Sequence, residues 1–234
     1  MSVTYKQDDG VALITLDDGK VNALSTEAFA LINEVHDRAP KDHAVTIMTS
    51  REGICFAGFD LNELAQSPYS ALAILRAGAS LCLRLLAFPC SVITACNGHE
   101  YPMGGFILMS ADYRIGVDGP YGLGMDEVRI NMTVPKFAIE VARGRLAPAH
   151  FNRTAITGEL FSPEVAMAAG ILDEVVDAAS LIDRARVQAE EFKQIDFSHH
   201  HATKLKVHSQ LMQNIEAAAE EELTIENTRA ILEQ

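Results

Sequence analysis

The chain has 234 residues, of which 48% are hydrophobic, and a formal net charge of −13 at pH 7. This length is sufficient for one large domain, or for one domain with an appendage. The acidic balance argues against nucleic acid and anionic membranes as partners, because both bind basic surfaces. The four cysteines lie in or beside apolar runs without the spacing of metal ligands, which is typical of reduced core thiols in a cytoplasmic protein.

Neither a signal peptide nor a membrane span is predicted. The N-terminal segment lacks the apolar core of a signal peptide. We expect no apolar run to be long enough to span a bilayer. We therefore expect a cytoplasmic location and no membrane partner.

Signals for strands and helices alternate through the first three quarters of the sequence. They predict strands at residues 11–16, 44–48, 91–95, 113–116, 121–124 and 174–176, and helices at residues 26–38, 68–87, 135–145, from about 148, and 163–169. From about residue 178 the pattern is helical to the end. This order is typical of an α/β domain with a helical appendage. We place the α/β core in residues 1–195 and the helical region in residues 196–234.

Two strand-to-helix junctions carry glycines. In the first, the strand at 91–95 ends at Asn97-Gly98, and Gly104-Gly105 precede an apolar helix at 106–109 that we expect to be buried. A buried helix that begins in such a loop presents free N–H groups and the positive end of its dipole. This arrangement suits an anion, or an oxygen that becomes one during a reaction. A second junction of the same kind lies at residues 54–61.

Four segments in order resemble successive signatures of the crotonase (enoyl-CoA hydratase/isomerase) superfamily. They are residues 20–24, 56–61, 97–115 and 127–135, and residues 162–176 resemble a later family segment. The resemblance covers nearly the whole chain. It implies an α/β fold, a crotonase-like spiral of ββα units with a C-terminal helical region. It also implies assembly into a homotrimer or a dimer of trimers.

The resemblance also implies a substrate and a site. The substrate is an acyl-CoA thioester of fatty acid metabolism, with coenzyme A as part of the substrate and no permanently bound cofactor. Two backbone N–H groups, of Phe59 and Met103, form the oxyanion hole, where each donor contributes roughly 3–4 kcal/mol to lowering the barrier. The residues expected to line the path of CoA and the acyl chain are Lys20, Ala23, Leu24, Ala57, Leu61 and Phe106.

The sequence departs from the family pattern in two places. Pro102-Met103-Gly104 stands where the family has a run of glycines, although a backbone donor does not require glycine. Hydratases of the family use two glutamates, and the first of these positions is Phe106 here, which cannot exchange a proton. The second glutamate position matches Glu127 if a one-residue insertion is placed before it. If the insertion is placed elsewhere, Asp126 takes this position. We prefer Glu127, because the residues after it fit the motif.

A single carboxylate restricts the chemistry. Hydration needs a base for the water and an acid for the α-carbon, whereas moving a double bond from the 3- to the 2-position needs one base. Isomerases of the superfamily resemble this chain in keeping only the later glutamate. The leading hypothesis is therefore a Δ3-Δ2-enoyl-CoA isomerase in which Glu127 shuttles the proton. Apolar Val128, Ile130 and Phe106 beside it predict a raised pKa of Glu127.

Two other functions stay open. One is an enoyl-CoA hydratase that uses Glu127 with or without Glu100. The other is a non-catalytic acyl-CoA-binding protein. A nicotinamide enzyme and a serine hydrolase are disfavoured, because the dinucleotide fingerprint and the Gly-x-Ser-x-Gly elbow are both missing.

Several other polar residues have structural interpretations. His99 and Glu100 follow a turn, so we expect them to face solvent. Asp112 is expected to bind a backbone amide or to pair with Arg114. Three adjacent histidines, 199–201, cannot all face one metal ion from a helix, so no metal site is predicted.

Three basic residues of the tail, Lys204, Lys206 and Arg229, could reach CoA phosphates. We favour a solvated helix face for them.

Overall fold

The computed structural model of the protein describes residues 2–232. The strands are β1 (Ser2–Asp8), β2 (Val11–Asp17), β3 (Val45–Ser50), β4 (Gly53–Phe56), β5 (Val92–Cys96), β6 (Gly98–Glu100), β7 (Tyr113–Val117), β8 (Leu123–Gly124), β9 (Leu160–Phe161) and β10 (Glu174–Val176). The helices are α1 (Thr26–His36), α2 (Leu61–Gln66), α3 (Pro68–Leu86), α4 (Pro102–Met109), α5 (Lys136–Arg145), α6 (Pro148–Thr157), α7 (Pro163–Ala169), α8 (Leu181–Phe192), α9 (Phe197–Glu222) and α10 (Ile225–Leu232). Two 3₁₀ helices cover Glu127–Ile130 and Ala178–Ser180.

The main sheet has six strands in the order β1-β2-β3-β5-β7-β10. Strand β1 is antiparallel to β2, and the other neighbours are parallel. Strands β3 and β5 are buried along their whole length, as expected for apolar strands covered on both faces. Successive side chains of β3 point to opposite faces, so Ile47 joins the core under α8, whereas Met48 joins the larger core with α1, α3 and α4.

A second sheet consists of two strands, β4 and β6, which directly precede the two segments of the candidate site. The two strands are parallel, with Gly53 opposite Gly98. A β-carbon at Gly98 would collide with the carbonyl group of Gly53, so this close pairing requires glycine. Helix α4 then begins at Pro102, before the predicted apolar stretch, because proline is favourable in the first helical turn.

Local signals in the sequence account for several helix ends. The Ser25 hydroxyl accepts a hydrogen bond from the N–H of Ala28 over 3.1 Å and caps α1 as predicted. Gly170 ends α7 in the left-handed conformation that favours glycine. Strand β1 was not predicted, since as an edge strand it exposes most of its polar side chains.

The expectation that no apolar run is long enough to span a bilayer is wrong for helix α3. By length and composition alone it could cross a membrane. Half of its apolar window is buried inside the fold, and side chains such as Ile74 and Leu81 belong to the main core. Such burial is typical of the core helix of a folded domain.

The C-terminal region is helical, as predicted. Helix α9 begins at Phe197, next to the predicted boundary at residue 196, and packs along α5 and α3. The division into two domains stays a prediction.

Candidate active site

The two predicted junctions lie side by side in the structure. Strand β4 pairs with β6 so that Phe56 is opposite Glu100, and both strands run in the same direction. Phe59 lies three residues after Phe56, and Met103 lies three residues after Glu100. The N–H of Tyr101 donates to the carbonyl oxygen of Phe56 over 3.1 Å and holds the two segments together.

The side chains of Phe59 and Met103 meet against helix α3. A β-carbon placed on Gly78 would lie 2.8 Å from the Phe59 ring and 2.9 Å from the Met103 sulfur. Both side chains therefore pack on the backbone of this glycine, closer than any larger residue at this position would permit. The two predicted oxyanion residues are thus neighbours in space.

Met103 occupies the first turn of α4. Pro102 has no N–H, and Tyr101 makes no side-chain cap, so the N–H of Met103 has no intrahelical acceptor and no N-cap side chain. The helix is buried from Met103 onward. Its positive dipole end therefore opens inside the protein, where it can donate to an oxygen that gains negative charge.

Phe59 lies in a bend that is fixed by the segment before α1. The N–H of Leu24 donates to the Gly58 carbonyl over 3.1 Å, and the N–H of Asp60 donates to the Leu24 carbonyl over 3.0 Å. These two bonds hold the bend and do not use the N–H of Phe59.

The residues predicted to line the substrate path fall into two groups. Ala23 and Ala57 are half-buried and Lys20 and Leu61 are exposed, so these four are accessible to a ligand.

Leu24 and Phe106 are core residues. Leu24 has no exposed surface and Phe106 is 1% exposed. The Phe106 ring packs edge-on against Phe137, with ring centroids 6.3 Å apart. Their contact with substrate stays a prediction.

Glu127 begins the 3₁₀ helix Glu127–Ile130 and is 5% exposed. Its Oε2 atom is buried and has no hydrogen-bond partner in the described part of the chain. Burial raises the pKa of Glu127 to about 7, and the charge of Asp126 adds to this effect. A carboxyl group with this pKa can both accept and return a proton near neutral pH.

Burial is the predicted cause of this raised pKa, but two of the three residues named for it do not supply it fully. Val128 and Ile130 were expected to surround Glu127, but they are 38% and 47% exposed. The tertiary fold therefore contributes to the burial of the Glu127 carboxyl group. Asp126, the alternative base, is half-buried, and burial also raises its pKa.

Glu100 was expected to face solvent, and this expectation is wrong. The residue has no exposed surface, and its Oε2 accepts the N–H of Gly124 over 3.1 Å. Burial raises the pKa of Glu100 well above its usual range, with further contributions from Cys96 and Glu127. Period-two alternation along Cys96, Gly98 and Glu100 is the signal in the sequence that could have indicated a buried carboxyl.

His99 is half-buried. Its Nδ1 atom accepts a hydrogen bond from the N–H of Gly122 over 3.1 Å. Within residues 2–232, no group of three His, Cys, Asp or Glu side chains is arranged to hold a metal ion.

In a different region, the buried cations Lys204 and Arg114 each pair with a carboxylate. Asp112 accepts the backbone N–H of Val92 over 2.8 Å, which confirms the expected amide contact. Its other partner is Lys204, with Nζ 2.8 Å from Oδ2, and Arg114 pairs instead with Asp173 over 2.5 Å. The expected solvated position of Lys204 is therefore wrong, because helix α9 buries this side chain against Asp112. Lys206 and Arg229 are exposed, as predicted.

Comparison with known proteins identifies the family. The family model described as enoyl-CoA hydratase/isomerase matches residues 6–230. The chain is 44% identical to an enoyl-CoA hydratase/isomerase family protein from Pseudomonas syringae, with a TM-score of 0.93, covering 94% of this chain and 96% of that one. It is 35% identical to an enoyl-CoA hydratase from Mycobacterium marinum, with a TM-score of 0.88 and coverage of 97% and 98%.

A curated relative carries a more specific description. The mouse protein "Enoyl-CoA delta isomerase 1, mitochondrial" is 30% identical over 183 residues, which are 76% of this chain and 63% of the mouse protein. The chain therefore spans less than two thirds of that relative. The family match over almost the whole sequence, together with the fold, shows that the chain belongs to the enoyl-CoA hydratase/isomerase family of the crotonase superfamily.

Proposed function

We propose that the protein is a Δ3-Δ2-enoyl-CoA isomerase with Glu127 as its only proton-transferring side chain. The observation that carries this proposal is the buried carboxyl group of Glu127, whose Oε2 has no hydrogen-bond partner in the described part of the chain and whose pKa burial raises to about 7. Buried Phe106 stands at the position that the family resemblance gives to the other glutamate. The description of the mouse relative as an isomerase supports it.

In the proposed reaction, the Glu127 carboxylate removes a proton from C2 of a 3-enoyl thioester. The electrons of the C2–H bond form a C1–C2 double bond, and the thioester oxygen becomes a dienolate. Glu127 then returns the proton to C4, so the double bond ends between C2 and C3 and no atom is gained or lost. A base with a pKa near ambient pH suits both steps.

The N–H groups of Phe59 and Met103 would hold the dienolate oxygen. Both belong to rigid segments: one lies in a bend fixed by Leu24 and the other in the first turn of a buried helix. Donors that are already oriented need no reorganisation as charge develops, and each such donor contributes roughly 3–4 kcal/mol.

Product analysis tests this function. The protein is incubated with 3-enoyl-CoA and, separately, with 2-enoyl-CoA of several chain lengths, and products are read by mass and by the absorbance of the conjugated thioester. Isomerisation predicts conjugation of the 3-enoyl substrate with no mass change. A gain of one water from 2-enoyl-CoA at a comparable rate would instead identify a hydratase, and tight CoA binding without turnover would identify a binding protein.

We also propose that the protein assembles as a homotrimer or a dimer of trimers. Exposed apolar side chains on helix α9, Leu205 and Val207, are available for contacts between copies. Sedimentation equilibrium should give three or six times the chain mass of 25.4 kDa, and a monomer mass would contradict this assembly. The cytoplasmic location stays a prediction.

A further inference from the structure

Glu100 is a buried acid that the proposed reaction does not use. It ends strand β6, has no exposed surface, and therefore cannot touch a substrate in this conformation. The proposed mechanism assigns it no step. A titratable group at this depth requires a physical explanation, because isolated buried carboxylates are costly.

The two oxygens of Glu100 contact both halves of the candidate site. Oε2 accepts the N–H of Gly124 over 3.1 Å, and Gly124 lies three residues before Glu127 on the same segment. Oε1 lies against Gly105, where a β-carbon would collide with it. Gly105 is in the first turns of α4, two residues after Met103. One carboxyl group therefore spans the gap between the segment that carries the base and the helix that carries an oxyanion donor.

The surroundings of Glu100 favour its neutral form. The titratable groups that reach it are Cys96 from β5, Cys55 from β4 and Glu127 from the 3₁₀ helix, and none of them is cationic. No ion pair within residues 2–232 includes Glu100, and its Oε1 has no hydrogen-bond partner there. Burial raises the pKa of Glu100, and the backbone N–H groups of Gly124 and Gly105 lower it. A carboxylate can accept about four hydrogen bonds, however, so these two groups leave much of a negative charge uncompensated.

We propose that Glu100 is a positioning residue that stays protonated while Glu127 ionises, and that its neutral carboxyl group fixes Glu127 relative to the N-terminus of helix α4. This inference rests on the proposed function for its effect on catalysis. Its structural part, a protonated acid beside an ionising one, is independent of the reaction.

Two substitutions of Glu100 distinguish the effect of its charge from the effect of its contact with Gly124. In Glu100→Gln the side chain keeps its shape, stays neutral and still offers an oxygen to the N–H of Gly124. Glu100→Ala removes that acceptor and leaves a space between Gly105 and β8. The matched controls are Glu34→Gln and Glu34→Ala, because Glu34 is an exposed glutamate in the last turn of α1.

The first measurement is a carbon NMR titration of protein labelled at its glutamate carboxyl groups. Wild type should show two carboxyl signals that titrate above the ordinary range; Glu127→Gln should remove the lower one and Glu100→Gln the higher. In Glu100→Gln, Glu127 should titrate where it does in wild type. A fall of its midpoint by a pH unit or more would show that Glu100 is ionised in the native protein and would overturn the proposal.

The second measurement is steady-state isomerisation. We expect kcat of Glu100→Gln to stay within about threefold of wild type and that of Glu100→Ala to fall about tenfold or more with little change in KM, since small displacements of a catalytic group lower the rate of the chemical step. Wild-type kcat in Glu100→Ala would refute the positioning role. If wild type isomerises no substrate, the proposed function fails, while the titration still decides the protonation of Glu100. If Glu100→Ala does not fold, the titration of Glu100→Gln still decides whether Glu100 is protonated in the native protein.

Discussion

Buried charges occur in two regions of this protein, and the regions are built in opposite ways. In the first region, the buried cations Lys204 and Arg114 pair with Asp112 and Asp173, respectively. In the candidate site, Glu100 and Glu127 are buried without a cation, and each has one oxygen with no hydrogen-bond partner in the described part of the chain.

The two regions differ in what their charged groups do: one set joins structural elements, and the other provides groups that can exchange protons. In the paired region the charged groups connect strand β5, the turn before β7 and helix α9, so their role is to join elements. In the candidate site, burial without compensation raises the pKa values of the carboxyl groups. An uncompensated buried acid costs stability but provides a group that exchanges protons near neutral pH.

Removing the carboxylate of Glu127 should have the largest effect. Glu127→Gln keeps the shape of the side chain but cannot accept a proton, so we expect kcat for isomerisation to fall by about 10³-fold, within the range of general acid–base catalysis. Asp126→Asn is the matched control and should keep most of the activity. Loss of activity in Asp126→Asn with retention in Glu127→Gln would assign the base to Asp126.

Removing a partner in the paired region should reduce stability instead. Lys204→Met leaves Asp112 buried without its cation, and we expect the free energy of unfolding to fall by about 3–4 kcal/mol. Denaturant unfolding measures this change, and Lys206→Met on the exposed face of the same helix should alter stability by less than about 0.5 kcal/mol. Equal effects of the two substitutions would show that the buried pair has no special role.

The same Glu127→Gln substitution should stabilise the fold increasingly as the pH rises from 4.5 to about 7. The pKa of Glu127 is raised from 4.5 to about 7, so its ionisation opposes folding increasingly from the unfolded pKa upward, and this effect is complete above about pH 7. Replacing it should increase the free energy of unfolding by about 3 kcal/mol at pH 8. At pH 4 the two proteins should be equally stable. A gain in stability at pH 4 would contradict this origin.

The smallest expected effect concerns the pH profile. Because the ionised form of Glu127 is the base, kcat should decrease as the pH falls below about 7. The negative charge of Asp126 contributes to the raised pKa, so Asp126→Asn should move this decrease to lower pH. A profile that is flat between pH 5 and 8 would exclude a buried carboxyl base.

Much of the fold and part of the site follow from local patterns. Apolar runs identify the buried strands, Ser25 and Gly170 define helix ends, and the ordered segments around Phe59, Met103 and Glu127 indicate the family. These features depend on neighbouring residues, so the sequence contains them directly. The edge strand β1 was missed, because its exposed polar side chains resemble a loop.

The expectations that were wrong concern contacts between distant segments. Lys204 looked solvated until helix α9 brought it to Asp112, and Glu100 looked exposed because it follows a turn. The apolar surroundings of Glu127 were attributed in part to Val128 and Ile130, which are exposed. In each case burial is decided by residues far away in the sequence.

The sequence by itself determined the alternation of strands and helices, the family and the presence of one glutamate at the matching position. Only the tertiary structure decided which charges are paired and which are left without a partner. The physical reason is that the free energy of a buried charge depends on every group within a few ångströms, and parallel pairing of β4 with β6 brings such groups together from separate parts of the chain.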